Sequence, residues 1–198
     1  MVDVNVTPFE IETTTRHGDF VRADVYLPHG GQGPFPVLFG ASPYQKALRH
    51  LPAVPQFTFI EYGPIQLYLD EGYAYVAMDT PGAGRSEGTW DPVSRTEGKA
   101  IHDMIEHVTG QDWSTGKVGM IGMSHYCWSQ WNAARTRPPH LNCLGALRRC
   151  HGYVPRLDVP GRHTVHELPG QLAVRLHTAP APGPGPVDDR ARPRPGDL

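Results

Sequence analysis

Between Lys117 and Arg135 the chain reads KVGMIGMSHYCWSQWNAAR. A short apolar run, Val118 to Ile121, meets Gly122, Met123 and Ser124, and a run of helix formers and aromatics follows at once. Strand, sharp turn carrying a serine, then helix is the layout of a nucleophile elbow. Such a turn needs glycine because the serine backbone sits in a strained region and a neighbouring side chain would clash. The helix starts directly under the serine, so its first N–H groups can stabilise a developing oxyanion. The motif by itself also fits an ordinary strand-to-helix turn with a capping serine.

The segments around this stretch constrain the fold further. Residues 6 to 27 alternate in polarity, are rich in β-branched residues and carry a turn at His17-Gly18-Asp19, which predicts an antiparallel hairpin. FPVLF (Phe35 to Phe39) is a continuous apolar run suited to a buried parallel strand, and it ends in a loop, Gly40-Ala41-Ser42-Pro43-Tyr44. Ligands in open α/β sheets bind outside such carboxyl ends. Residues 45 to 60, with prolines at 52 and 55, have no clear pattern. Ile65 to Glu71 suits a short helix stopped by Gly72, and YAYVAM (Tyr73 to Met78) is the next buried strand. The loop DTPGAGRSEG follows, with glycine spacing that matches neither phosphate-cradling motif. Thr96 to Thr109 places Ala100, Ile101, Met104, Ile105 and Val108 on one stripe, with Glu97, His102 and Asp103 elsewhere, as in a helix packed on a sheet. Strand and helix thus alternate as in a doubly wound, mostly parallel sheet preceded by an antiparallel hairpin.

Composition narrows the function classes. A net charge of −2 gives no reason to expect nucleic acid or an anionic membrane as partner. The N-terminus lacks a basic and apolar signal peptide, and no apolar run approaches a membrane span. Cys127, Cys143 and Cys150 are odd in number and lack metal-ligand spacing, which suits a reducing cytoplasm and no metal site. Nothing in the sequence calls for a cofactor, and nothing in it sets the oligomeric state.

The segments GPFPVLFGASPYQK, YAYVAMDTPGAGRSEG, DMIEHVTGQDWSTGKVGMIGMSHYCWSQWNAA and RPPHL, from about residue 8 to 142, resemble the catalytic domain of the X-Pro dipeptidyl-peptidase and cocaine-esterase-like (CocE/NonD) hydrolases. The resemblance implies an α/β-hydrolase fold and acyl transfer from a small ester or peptide substrate to water, through a serine matched by Ser124. It implies oxyanion donors at the backbone N–H of His125 and the hydroxyl of Tyr44. Read without it, Tyr44 is a loop aromatic capping the core. The chain departs from the family where His125 and Cys127 stand in place of a tyrosine and a glycine after the serine, and where Thr80-Pro81 replaces an arginine-glycine pair. The family's triad acid and histidine lie further downstream, beyond a helical cap.

The character changes near Leu144. From there the chain has eight Arg, no Lys and nine Pro, with Leu172 to Leu176 as the one strand-like piece. Asp158, His163 and His166 are too closely spaced to serve as the missing partners. Back-translated with free codon choice and read from the second base, RCHGYVPRLDVPGRHTVHELP can yield GATDMYRDSMFRAGIPCTSF, similar to what the family has after PPHL. A division follows: 1–143 as the N-terminal part of the catalytic domain, and 144–198 as an irregular, poorly ordered tail translated out of frame. The alternative to an active hydrolase is then a truncated, inactive remnant with an exposed sheet edge.

Overall fold

A computed structural model describes residues 4–46, 61–147, 164–168 and 171–175. The expected hairpin is formed by β1 (Phe9–Thr14) and β2 (Phe20–Tyr26), which pair antiparallel with Phe9 opposite Val25 and Thr14 opposite Phe20. Next come β3 (Phe35–Ser42), α1 (Ile65–Asp70) and β4 (Ala74–Asp79). They are followed by α2 (Arg95–Thr109), β5 (Ser114–Gly122), α3 (His125–Thr136) and β6 (Leu141–Leu147). Two strands of the tail, β7 (Thr164–Leu168) and β8 (Gln171–Arg175), form a hairpin whose β8 pairs antiparallel with β6. Leu172 to Leu176, the strand-like piece of the tail, overlaps β8. The sheet therefore continues past β6, where the sequence alone suggests an exposed edge. The rest of the tail lies outside the described residues.

The strand order is β1-β2-β4-β3-β5-β6-β8-β7, with β4, β3, β5 and β6 parallel to one another. Both faces of the central strands are buried, as their continuous apolar runs require. Val37 and Phe39 of β3, Val76 and Met78 of β4 and Val118 and Met120 of β5 pack on one face with Ile101, Met104 and Ile105 of α2 and Trp131 of α3. Tyr75 and Ala77 turn to the other face and meet Ile65 and Leu69 of α1. Ile101, Met104 and Ile105 are wholly buried, and each contributes about 2 kcal/mol of apolar burial.

Helices α2 and α3 approach closely because Gly98 has no side chain. A Cβ there would stand 2.5 Å from the carbonyl oxygen of Asn132. Two boundaries at the centre of the sheet shift by three residues from the sequence expectation. β3 runs three residues further, to Ser42, and β5 begins at Ser114 within the expected QDWSTG loop, where the chain pairs with Phe35. No helix among the described residues is long and apolar enough to cross a membrane.

Candidate active site

The sheet's topology singles out one place. β3 is flanked by β4 on one side and β5 on the other, and β5 by β6 beyond it, so the connections leaving β3 and leaving β5 run to opposite sides from adjacent carboxyl ends. Such a switch point is where open α/β sheets bind ligands. Tyr44 follows the end of β3 and Ser124 follows the end of β5.

Ser124 has φ 55° and ψ −124°, a conformation that costs a non-glycine residue of order 1–3 kcal/mol. The surroundings enforce it. Gly122 has φ 138°, and a Cβ there would lie 2.4 Å from Cβ of Tyr126 and 3.0 Å from the carbonyl oxygen of Glu61. Past the turn, the N–H groups of Cys127 and Trp128 donate to the Ser124 carbonyl at 3.0 and 3.2 Å, so α3 starts directly under the serine. Cys127, in place of the family's glycine, packs into the core with 2% exposure.

The Tyr44 loop is held by a buried cation. Lys46 Nζ donates to Glu10 Oε2 and Asp24 Oδ1, each at 2.6 Å, and its backbone N–H donates to Asp79 Oδ1 at 2.6 Å. Burial pulls the Lys46 ammonium down, but the two carboxylates outweigh it and hold it above its ordinary value. Burial pushes the Asp79 carboxyl up, against the N–H groups of Arg85 and Lys46. The DTPGAGRSEG loop closes on the same group: Arg85 N–H donates to Asp79 Oδ2 at 3.0 Å, and the Ser86 hydroxyl donates to the Asp79 carbonyl at 2.7 Å. That loop buttresses the end of β3 through Thr80 N–H, which donates to the Ser42 carbonyl at 3.2 Å.

The side chain of His125 turns away from Ser124, as neighbouring side chains on an elbow must. Its Nε2 stands 3.2 Å from Glu97 Oε1 in a buried pair. The other oxygen of Glu97 accepts from Asn132 Nδ2 and from Val93 N–H, both at 2.8 Å. Glu97 is 3% exposed, so the α2 stripe read as wholly apolar also carries a buried carboxylate. The Tyr44 ring lies 6.0 Å from the His125 ring and 6.2 Å from that of Tyr126.

One residue absent from the sequence reading lies at the serine itself. Glu61 is 6% exposed, and the hydroxyls of both Ser124 and Tyr44 hydrogen-bond its carboxyl. Its backbone carbonyl accepts from Met123 N–H at 2.8 Å. Burial pushes its carboxyl above the ordinary range, against Ser124, the His125 charge and Tyr44. Beside it, Tyr44, Tyr62, Ile65 and Tyr126 line a small cleft. Burial also raises Tyr126, whose hydroxyl is hydrogen-bonded to Ser42.

The structure brings Ser124, Tyr44 and the start of α3 together and adds Glu61 to them. No sequence signal marks Glu61, which follows an unpatterned stretch. Glu97 does have one: Ser94-x-x-Glu97 is a capping box, and the Ser94 hydroxyl accepts from Glu97 N–H at 3.1 Å. The reciprocal bond shifts by one residue, to Val93.

A family model described as X-Pro dipeptidyl-peptidase (S15 family) matches residues 17–154. Cocaine esterase of Rhodococcus sp. (strain MB1 Bresler) is 33% identical over 135 residues, covering 68% of this chain and 22% of that protein. A putative Xaa-Pro dipeptidyl-peptidase of Bacillus anthracis is 29% identical over 115 residues, covering 46% of this chain and 19% of that one. In three dimensions the chain is similar to a CocE/NonD family hydrolase from Staphylococcus aureus, with a TM-score of 0.60 and 26% identity, over 70% of this chain and 27% of that structure. The chain spans about a fifth of the length of these two curated relatives.

Proposed function

Because the chain belongs to the X-Pro dipeptidyl-peptidase (S15) family of hydrolases, we propose that it acts as a serine hydrolase on a small ester or peptide substrate, with Ser124 as nucleophile. The observation that carries this reading is the strained backbone of Ser124 at the carboxyl end of β5, under which α3 begins. A serine hydroxyl attacks a carbonyl carbon only if its proton is taken as the bond forms. The negative charge then developing on the carbonyl oxygen needs donors already in place. The N–H of His125, at the start of α3, and the hydroxyl of Tyr44 are suited to this. One such donor is worth about 3 kcal/mol of barrier. The three cysteines, which lack the spacing of a disulfide framework, favour a cytoplasmic setting.

The test is labelling with a fluorophosphonate, which reacts covalently with activated serines. Purified protein is expected to label, and Ser124→Ala is expected not to. Equal labelling of the two would remove Ser124 from the chemistry, and none in either would mark the chain as an inactive relative of its family. Weak turnover of an activated ester decides nothing, since an oxyanion hole alone gives some rate over water.

A further inference from the structure

We propose that Glu97 is a positioning residue of the oxyanion site: through the His125 side chain it fixes both donors, the His125 N–H and the Tyr44 hydroxyl, beside Ser124. The inference deepens the reading of Ser124 as nucleophile and rests on it. The N–H in question belongs to the peptide that joins Ser124 to His125. At its carbonyl end that peptide is held by the first turn of α3, through the N–H groups of Cys127 and Trp128. Its remaining freedom lies in ψ of Ser124, where the backbone is strained, and in φ of His125. A strained turn relaxes unless its neighbours are fixed, and a fixed His125 side chain supplies that restraint.

The two oxygens of Glu97 divide between two tasks. Oε2 accepts from Val93 N–H and Asn132 Nδ2, both at 2.8 Å, which joins the start of α2 to the middle of α3. Packing the two helices needs no more than that. Oε1 is turned instead to His125 Nε2, at 3.2 Å. Burying a carboxylate to 3% exposure is unfavourable unless its oxygens are matched, so the second oxygen binds the carboxylate to the elbow. Glu97 has no room to retreat. The helices touch at Gly98, where a Cβ would stand 2.5 Å from the Asn132 carbonyl oxygen, and Glu97 N–H donates to the Ser94 hydroxyl at 3.1 Å.

The same imidazole reaches the second donor. The His125 ring meets the Tyr44 ring edge-on, with centroids 6.0 Å apart, and the Trp128 ring likewise at 6.0 Å. Rings at this spacing favour such edge-to-face contacts over stacking, so the orientation of one constrains the next. The wholly buried Ser129 hydroxyl donates to the Ala41 carbonyl at 2.6 Å and sets this end of α3 against the end of β3, from which Tyr44 follows. Glu97 thus acts through His125 and not on the reacting atoms. The leverage is large, because a misplacement of about 1 Å caused away from the chemistry can slow a reaction about a hundredfold.

The experiment is a double-mutant cycle, read as the second-order rate of fluorophosphonate labelling with Ser124→Ala as control. The probe's phosphoryl oxygen takes the place of the acyl oxygen, so the rate responds to the donors. Glu97→Ala and His125→Ala are each expected to slow labelling about tenfold or more. The double variant should be no slower than His125→Ala, since Glu97 then has nothing to act through. Glu97→Gln should recover most of the rate. Its oxygen accepts from Val93 and Asn132, and its amide N–H donates to the imidazole in the reversed tautomer. Ile105→Ala opens a cavity on the core face of α2 and shows what lost stability alone does; it should label at the wild-type rate. Three outcomes overturn the proposal alone: Glu97→Ala labelling as fast as wild type, Ile105→Ala slowing labelling as much, or the two single losses multiplying in the double variant. Labelling that does not depend on Ser124, or none in wild type, overturns it together with the proposed function. Should Glu97→Ala fail to fold, His125→Phe decides, because it keeps a ring and the backbone N–H but offers Glu97 nothing to hold. A rate about tenfold lower supports the positioning role, and the wild-type rate overturns it.

Discussion

His125 Nε2 and Glu97 Oε1 stand 3.2 Å apart at 6% and 3% exposure, and so tie the residue after the candidate nucleophile to the first turn of α2. Glu97 accepts from Asn132 and Val93 as well, so one carboxylate serves α3, α2 and the loop before α2. The orientation of the His125 N–H therefore depends on a residue in a different helix.

Glu97→Ala leaves the buried His125 and Asn132, and the half-buried Val93 N–H, without an acceptor. Each buried polar group stranded in this way costs about 1–3 kcal/mol, so a loss of at least about 2 kcal/mol is expected in chemical denaturation. Glu97→Gln keeps acceptor capacity and should lose less. Equal losses in the two variants would show that the carboxylate's charge, and not its hydrogen bonding, is what counts.

Lys46 is the corresponding anchor on the other side of the site. Its side chain is 4% exposed between Glu10 and Asp24. Lys46→Met fills a similar volume but removes the cation between Glu10 and Asp24, with Arg85 Nη1 still 3.1 Å from Glu10 Oε2. Removing one partner of a buried ion pair costs about 3–5 kcal/mol. The expected readout is a lower denaturation midpoint together with slower fluorophosphonate labelling, because the loop carrying Tyr44 loses its tether. A destabilised variant that labels at the wild-type rate would separate Lys46 from the site.

Much of this architecture can be read from the sequence, and the reasons are local. Phe35 to Phe39 and Tyr73 to Met78 are uninterrupted apolar runs, and only a strand buried on both faces uses such a run. Gly122 and Ser124 are readable because a strained serine turn needs a residue without Cβ beside it. The ends of β3 and β5 are not readable, because pairing with neighbouring strands extends both past their apolar stretches. Glu61, Glu97 and Lys46 escape for one shared reason. Each is a charged residue whose burying partners include one 22 or more positions away, and neither periodicity nor a capping motif reports such a partner.

Asp103 gives a pH dependence of conventional sign. Burial pushes its carboxyl up, but the hydrogen bonds and charge of Arg16 outweigh that and hold it below its ordinary value. Arg16 Nε reaches Asp103 Oδ1 at 2.9 Å, and Arg16 N–H reaches Oδ2 at 2.8 Å. The stability this contributes is present above the unfolded carboxyl value, about 3.9, and is lost as pH falls through the lower folded value. With the Arg16 side chain 43% exposed, solvent keeps the effect small. Thermal midpoints of Asp103→Asn should lie below wild type at pH 6 and converge on it toward pH 3. A constant gap would mean that the bond acts without its charge.

Glu61 should give the opposite slope. Its folded value is raised, chiefly by burial, so the folded chain binds that proton more tightly than the unfolded chain does. Below the unfolded value, about 4.3, both states are protonated and the neutral carboxyl sits in the site without penalty. As pH climbs through the folded value the buried group must ionise, and stability falls by about 1.4 kcal/mol for each unit separating the two values. Asp79, raised by the same cause, adds to the fall. Glu61→Gln removes the Glu61 share and leaves that of Asp79. The variant's thermal midpoint should therefore gain on wild type steadily from pH 4 to pH 8. Parallel curves over that range would show that the Glu61 carboxyl is no harder to ionise in the folded chain than in the unfolded one.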